Sequence, residues 1–157
     1  CALPICKETL LGFVHDEASA FFGGLAGNAG LFSTARDVAR VYQMLLNGGE
    51  IDGQRYLSKE TCQLFTTETS KISRRGLGFD KPDADDPKKG NCAPAAPAEV
   101  YGHTGFTGTC AWVDPVNELV YVFLSNRIYP DVTNRKLNQL HIRERIQGAI
   151  YDAMKKK

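Results

Sequence analysis

The chain is predicted to fold as an α+β protein, an antiparallel sheet packed by helices, and three features of its sequence predict this. Residues 100–124 hold runs rich in Val, Tyr, Trp and Phe, broken by a glycine-rich turn and by Asp114-Pro115-Val116-Asn117-Glu118. Such residues suit a pleated, half-buried surface, and short Pro/Asn/Asp links between them signal hairpins. Residues 34–46 repeat apolar side chains at helical spacing behind a capping threonine, and a second helical stripe runs from about Asn134 to the end.

Taken in order, residues 1–14 read as either a helical turn or an extended arm around Cys6-Lys7-Glu8-Thr9-Leu10-Leu11. Gly23, Gly24, Gly27 and Gly30 then interrupt any regular element, while Phe21, Phe22, Leu25, Leu31 and Phe32 argue against disorder. A packed irregular loop is expected there, of the kind that borders sites. His15, Asp16 and Glu17 are adjacent and do not converge on one ion, so local hydrogen bonding is expected of them.

Thr34 and Asp37 have capping-box spacing, and Val38, Val41, Tyr42, Leu45 and Leu46 follow as a core-facing stripe. Asn47-Gly48-Gly49 ends that helix. Ile51 to Leu57 reads as a turn and short strand, and Ser58 caps a second helix through about Phe65. Gly76-Leu77-Gly78-Phe79 reads as another short strand. From 80 to 99, four prolines and a run of Asp and Lys predict a surface loop or insertion just before the central strand. The three strands follow, then the terminal helix, whose predicted apolar face is Ile142, Ile146, Ala149, Ile150 and Ala153. Arg143, Glu144 and Arg145 are expected mostly on its wet side.

At 157 residues the chain is one domain's worth, with 43% hydrophobic and 24% charged residues. A net charge of +1 implies no nucleic-acid partner, and Lys155-Lys156-Lys157 reads as a solvated tail. No apolar run approaches the ~20 residues of a membrane span. Without an initiating Met or a leader, the chain begins at Cys1 as a processed or excised piece would. Five cysteines lack any Cys-x-x-Cys spacing, so they read mostly as inert thiols, with one or two bridges left open. No metal and no cofactor are predicted.

The chemistry-bearing stretch is Val100-Tyr101-Gly102-His103-Thr104-Gly105-Phe106-Thr107-Gly108-Thr109. A titratable ring and a hydroxyl lie at a strand end among glycines that let another backbone or a ligand come close. Taken with Gly12 to Ala18, Gly23 to Ala35, Leu45 to Gly49, Gly76 to Phe79 and Phe123 to Arg127, it resembles the C-terminal half of the serine β-lactamase and penicillin-binding protein family. The likeness is nearest that family's class C and esterase-like branch, and extends to the β-lactamase-like module fused behind N-acetylglucosaminidases.

The resemblance implies three motifs: Ser-x-x-Lys, a Tyr-x-Asn or Ser-x-Asn element, and Lys-Thr-Gly or a His variant. His103-Thr104-Gly105 corresponds to the third. It implies that His103 shapes the field around the nucleophile and that Thr104 and Gly105 engage the substrate. Phe106 would lend its backbone N–H to the oxyanion hole. Histidine in place of lysine makes an ester or peptide substrate more plausible than a β-lactam carboxylate.

The other two motifs do not occur here. Ser19, Ser33, Ser58, Ser70, Ser73 and Ser125 are followed three places on by Phe22, Arg36, Thr61, Ser73, Gly76 and Ile128, and no Tyr-x-Asn or Ser-x-Asn exists. Residues 1–157 are therefore expected to be a single partial domain, the C-terminal half of a serine hydrolase acting on amide or ester bonds through an acyl-enzyme. Alone, it would be inactive. The expected partners are a small-molecule or peptide substrate and either the N-terminal half or a second copy. The alternative is a non-catalytic module that binds cell-wall peptide or a partner domain. The resemblance also suggests an extracytoplasmic location.

Overall fold

A computed structural model describes residues 10–67, 72–83, 85–86 and 90–155. Most of the expected arm, Cys6 to Thr9, all of 68–71, parts of 84–89, and Lys156 and Lys157 of the expected solvated tail lie outside them. Within 12–32 one short helix forms, α1 (Glu17–Phe21), because Asp16 accepts a hydrogen bond from Ser19 N–H at 2.8 Å and caps its first turn. The rest is irregular, as the glycines require, and only partly packed. Ser19 is fully buried and His15 stacks on Phe106, but Phe21, Leu25 and Leu31 are 87%, 82% and 88% exposed.

α2 (Ala35–Leu46) starts at Thr34, whose hydroxyl accepts from Asp37 N–H at 3.2 Å, and ends at Asn47 before two left-handed glycines. β1 (Glu50–Ile51) and β2 (Gln54–Arg55) form a hairpin, a second strand beyond the one expected. Asp52 and Gly53 both take positive φ, the geometry of a two-residue turn whose twist matches paired strands. α3 (Lys59–Thr66) begins at the Ser58 cap as expected. Gly76 to Phe79 is a turn, closed by Gly76 N–H on the Phe79 carbonyl at 3.1 Å. The extended contact falls one residue later, where Asp80 and Gly102 exchange backbone hydrogen bonds of 2.7 and 3.0 Å.

The central sheet is β3 (Tyr101–Thr104), β4 (Cys110–Asp114) and β5 (Leu119–Phe123), antiparallel in that order. Pairing sets Tyr101 opposite Val113 and His103 opposite Ala111, and Trp112 opposite both Gly102 and Tyr121. Side chains alternate along a strand, so two sheet faces follow. On the first, Tyr101 meets Phe79, and Phe79 meets Tyr42 of α2, edge to face at 5.3 and 6.2 Å. On the second lies the core of Cys92, Val100, Cys110, Trp112 and Tyr121. Burying one such large side chain contributes about 1.5–3 kcal/mol. Segment 80–99 sends Cys92 and Ala93 into this core.

The terminal helix is split. α4 (Lys136–Gln139) and α5 (Ile142–Met154) are separated by His141, which is left-handed. α5 buries only part of the expected stripe: Ile150 packs against the core and Ile142 is half-buried, while Ile146, Ala149 and Ala153 face solvent and Arg143, Glu144, Gln147 and Tyr151 turn inward. The second sheet face and segment 80–99 supply polar partners that only the tertiary fold brings near. Gln147 Oε1 accepts from Ala93 N–H at 2.8 Å, Tyr151 OH donates to Asp114 at 2.8 Å, and Tyr121 OH donates to the Arg143 carbonyl at 3.1 Å. Such satisfied partners make polar burial affordable in a core.

Gly102 has no room for a side chain. A Cβ there would run into the Ala111 carbonyl and lie 2.7 Å from Trp112 Cε3. Gly102→Ala is expected to lower unfolding free energy by about 2–3 kcal/mol through overpacking. Urea unfolding measures it, and an unchanged midpoint would show that β3 shifts freely past β4.

Candidate active site

β3 delivers His103 and Thr104 to the end of the sheet, and Gly105 turns the chain there. Gly105 N–H donates to the Thr109 carbonyl at 2.8 Å, and Gly108 N–H donates to the Gly105 carbonyl at 2.9 Å. The turn is also tied sideways. Arg127 N–H at 2.9 Å and the Ser125 hydroxyl at 3.2 Å both donate to the Thr107 carbonyl. Gly108 has φ +94°, and a Cβ on it would lie 2.6 Å from Ser125 Oγ. Only glycine fits both that backbone angle and that approach.

Within this tied turn, two polar groups are left uncommitted. Among the described residues, neither the Phe106 N–H nor the Thr104 hydroxyl meets a hydrogen-bond partner. His103 is exposed, with Nδ1 2.7 Å from the Thr104 carbonyl. A carbonyl only accepts, so Nδ1 carries the proton in this contact and Nε2 is the nitrogen left to face solvent. The four sequence-predicted residues, His103, Thr104, Gly105 and Phe106, are thus consecutive at the end of β3, where the His103 and Thr104 side chains leave opposite faces of the sheet.

Phe106 is 61% exposed, yet its ring has two partners. His15 stacks on it at 5.7 Å with 15° between the planes, and the Arg127 guanidinium carbon lies 4.8 Å from its centroid. Sequence reasoning expected only local hydrogen bonding of His15 and gave Arg127 no role. Their only signals were membership of the Val14-His15-Asp16 and Ser125-Asn126-Arg127 stretches. Next to His15, Asp16 accepts from Asn28 Nδ2 at 3.1 Å, and the fully buried Ser19 donates its hydroxyl to Asn28 Oδ1 at 3.1 Å. The Ser19 N–H, Asn28 and the Ser19 hydroxyl hold the Asp16 carboxyl below the usual carboxylate range.

An open depression of about 550 Å³ is lined by Phe13, Val14, Leu25 and Phe32 among others. It belongs to the glycine-rich loop, and His103, Thr104, Gly105 and Phe106 do not line it. Burial pushes the Cys92 thiol up to about 12 and Cys110 to about 11, which keeps both protonated and unreactive. Cys62 is also free and buried. Among the described residues no His, Cys, Asp and Glu side chains gather in threes to hold a metal, and no helix is long and apolar enough to cross a membrane.

The described residues form an α+β domain in which a histidine, a threonine and a peptide N–H without a partner among them lie at a strand end. The chain belongs to the Beta-lactamase family, whose pattern matches residues 8–144. It is 37% identical over 135 residues to a putative D-alanyl-D-alanine carboxypeptidase of Escherichia coli K12, covering 85% of this chain and 31% of that protein. The Salmonella typhi protein described in the same words is also 37% identical, with the same coverage. The chain spans about a third of the length of these curated relatives. Among solved structures, a penicillin-binding protein homolog from Caulobacter crescentus is 26% identical, covering 57% of this chain and 24% of its own, with a TM-score of 0.45.

Proposed function

We propose that residues 1–157 are the C-terminal part of a serine hydrolase domain that cleaves amide or ester bonds through an acyl-enzyme. The nucleophilic serine and its lysine would lie in sequence outside this chain. In this reading His103 shapes the field beside that serine, and Thr104 and Gly105 hold the substrate. The Phe106 N–H donates to the developing oxyanion, where a preorganised donor stabilises the transition state without reorganising. The observation that carries the reading is the tied turn 105–109, beside which the Thr104 hydroxyl and the Phe106 N–H, two residues apart, have no partner among the described residues. Supporting it are the family membership, the relatives named as carboxypeptidases, and six serines without a lysine three places on. The substrate we assign is a peptide ending in D-alanine or a β-lactam that mimics it, in an extracytoplasmic setting.

A fluorescent penicillin and a D-Ala-D-Ala peptide offered to the full-length parent protein test this. Covalent labelling and peptide cleavage are expected of the parent, and neither of the 157-residue chain alone, since acylation needs a hydroxyl beside a base. A burst of acylation by the isolated chain would overturn the assignment of the nucleophile. A parent that neither labels nor cleaves would favour a binding module.

The same reading supplies a partner. Phe21, Phe22, Leu25, Leu31 and Phe32 leave an apolar surface of the kind that seeks cover, and among the described residues nothing pairs with the outer edge of β5. The rest of the parent, or a second copy when it is missing, is the proposed cover. A strictly monomeric chain by light scattering would count against it.

A further inference from the structure

We propose that His15 and Arg127 are positioning residues: they hold the Phe106 ring and, through it, aim the Phe106 N–H. The inference rests on the donor role proposed above for that N–H.

The argument begins with what does not hold Phe106. Its ring is mostly exposed, so core burial does not fix it. Its N–H belongs to the peptide that follows Gly105, a residue with wide backbone freedom. An unanchored peptide there would swing, and a donor that swings must be reorganised when charge develops. Two separate loops instead converge on the ring. His15 reaches it from the glycine-rich loop, and the neighbouring Asp16–Ser19–Asn28 hydrogen bonds secure the base of that loop. Arg127 reaches it from the segment after β5, where its own N–H is bonded to the Thr107 carbonyl.

The Arg127 side chain also passes over Gly108, where an added Cβ would lie 3.2 Å from Arg127 Cγ. A stacked ring and a cation–π contact restrict the rotamer, and the rotamer restricts the backbone that carries it. Phe106 is thus read twice. Its main chain faces the reacting carbonyl, and its side chain is the handle by which two other loops set the angle.

Two measurements test this. In the 157-residue chain, the Phe106 amide order parameter is expected near the rigid value of about 0.85. It should fall toward about 0.6 in His15→Ala and in Arg127→Ala, and recover in His15→Phe and Arg127→Lys, which restore a ring and a cation. The Trp112 indole resonance reports whether each variant is folded. Should an alanine variant unfold, Phe106→Ala removes the same exposed ring without touching the core and serves in its place. Unchanged order in the folded alanine variants would overturn the proposal.

In the full-length parent, His15→Ala and Phe106→Ala are each expected to lower the acylation rate constant about tenfold with KM unchanged. The double variant should lose no more than either single one, because all remove one contact. Additive losses would overturn the coupling. Lost order with an unaltered rate would leave the ring contact standing and overturn the donor role itself, and a parent that never acylates would fail the proposed function while the order parameters still decide the contact.

Discussion

A Phe106→Pro substitution in the full-length parent is expected to lower acylation about 10²–10³-fold, the loss typical of removing one oxyanion-hole donor. Proline deletes the backbone N–H and nothing else that this N–H was holding, since among the described residues it has no protein acceptor to lose. Phe106 does not take positive φ, and glycine precedes it, the residue best able to accept the restriction a proline imposes on its predecessor. The thermal midpoint should therefore move little while the rate falls, and KM should hold. The comparison with Phe106→Ala is informative: that variant keeps the donor and loses only the ring, so its smaller loss separates possession of the N–H from its aim. Equal rates for Phe106→Pro and wild type would remove the oxyanion assignment.

An Asp80→Ala substitution is expected to destabilise the chain by about 1–3 kcal/mol, the cost of leaving buried donors without their acceptor, because Arg74 is a third exposed and can turn to water. Asp80 is 1% exposed. Its carboxylate takes two hydrogen bonds from Arg74, at 2.7 and 3.0 Å, one from Asn91 Nδ2 at 2.9 Å, and one from Lys81 N–H at 3.0 Å. Its backbone pairs with Gly102, so this one residue ties segment 80–99 to the strand that presents His103. Burial alone would push the carboxyl up, but the Arg74 and Asn91 hydrogen bonds outweigh it and hold it below the usual range.

The sign of the pH dependence follows. A depressed folded-state pKa adds stability that is fully present above the unfolded value of about 3.9 and is lost as pH falls through the folded one. Asp80→Asn keeps the shape and drops the charge. The stability gap between wild type and Asp80→Asn in urea unfolding is therefore expected to be widest at neutral pH and to shrink below about pH 4. A gap that stays constant down to about pH 2 would show that the charge contributes nothing.

Elements with a local chemical signature were legible in the sequence. The α2 and α3 caps announce themselves because Thr34 and Ser58 satisfy amides within three residues, and β4 and β5 because β-branched and aromatic residues crowd two short runs. The strand expected at Gly76 to Phe79 failed because the extended contact needs Gly102 opposite Asp80, a partner far away in sequence. The buried face of α5 was read only in part, for a related reason, since Ile150 does reach the core. Periodicity assigns polar residues to water, whereas Gln147 and Tyr151 find their partners on Ala93 and Asp114.

The composition of the His103-Thr104-Gly105-Phe106 stretch determined which atoms are available for chemistry here, because hydroxyls, rings and glycine-flanked peptides are properties of residues. The folded chain alone decided which of those atoms remain unbonded and what steadies them. Hydrogen bonding within the turn from 105 to 109, and ring contacts from residues 15 and 127, depend on distances in space between segments that no local pattern connects.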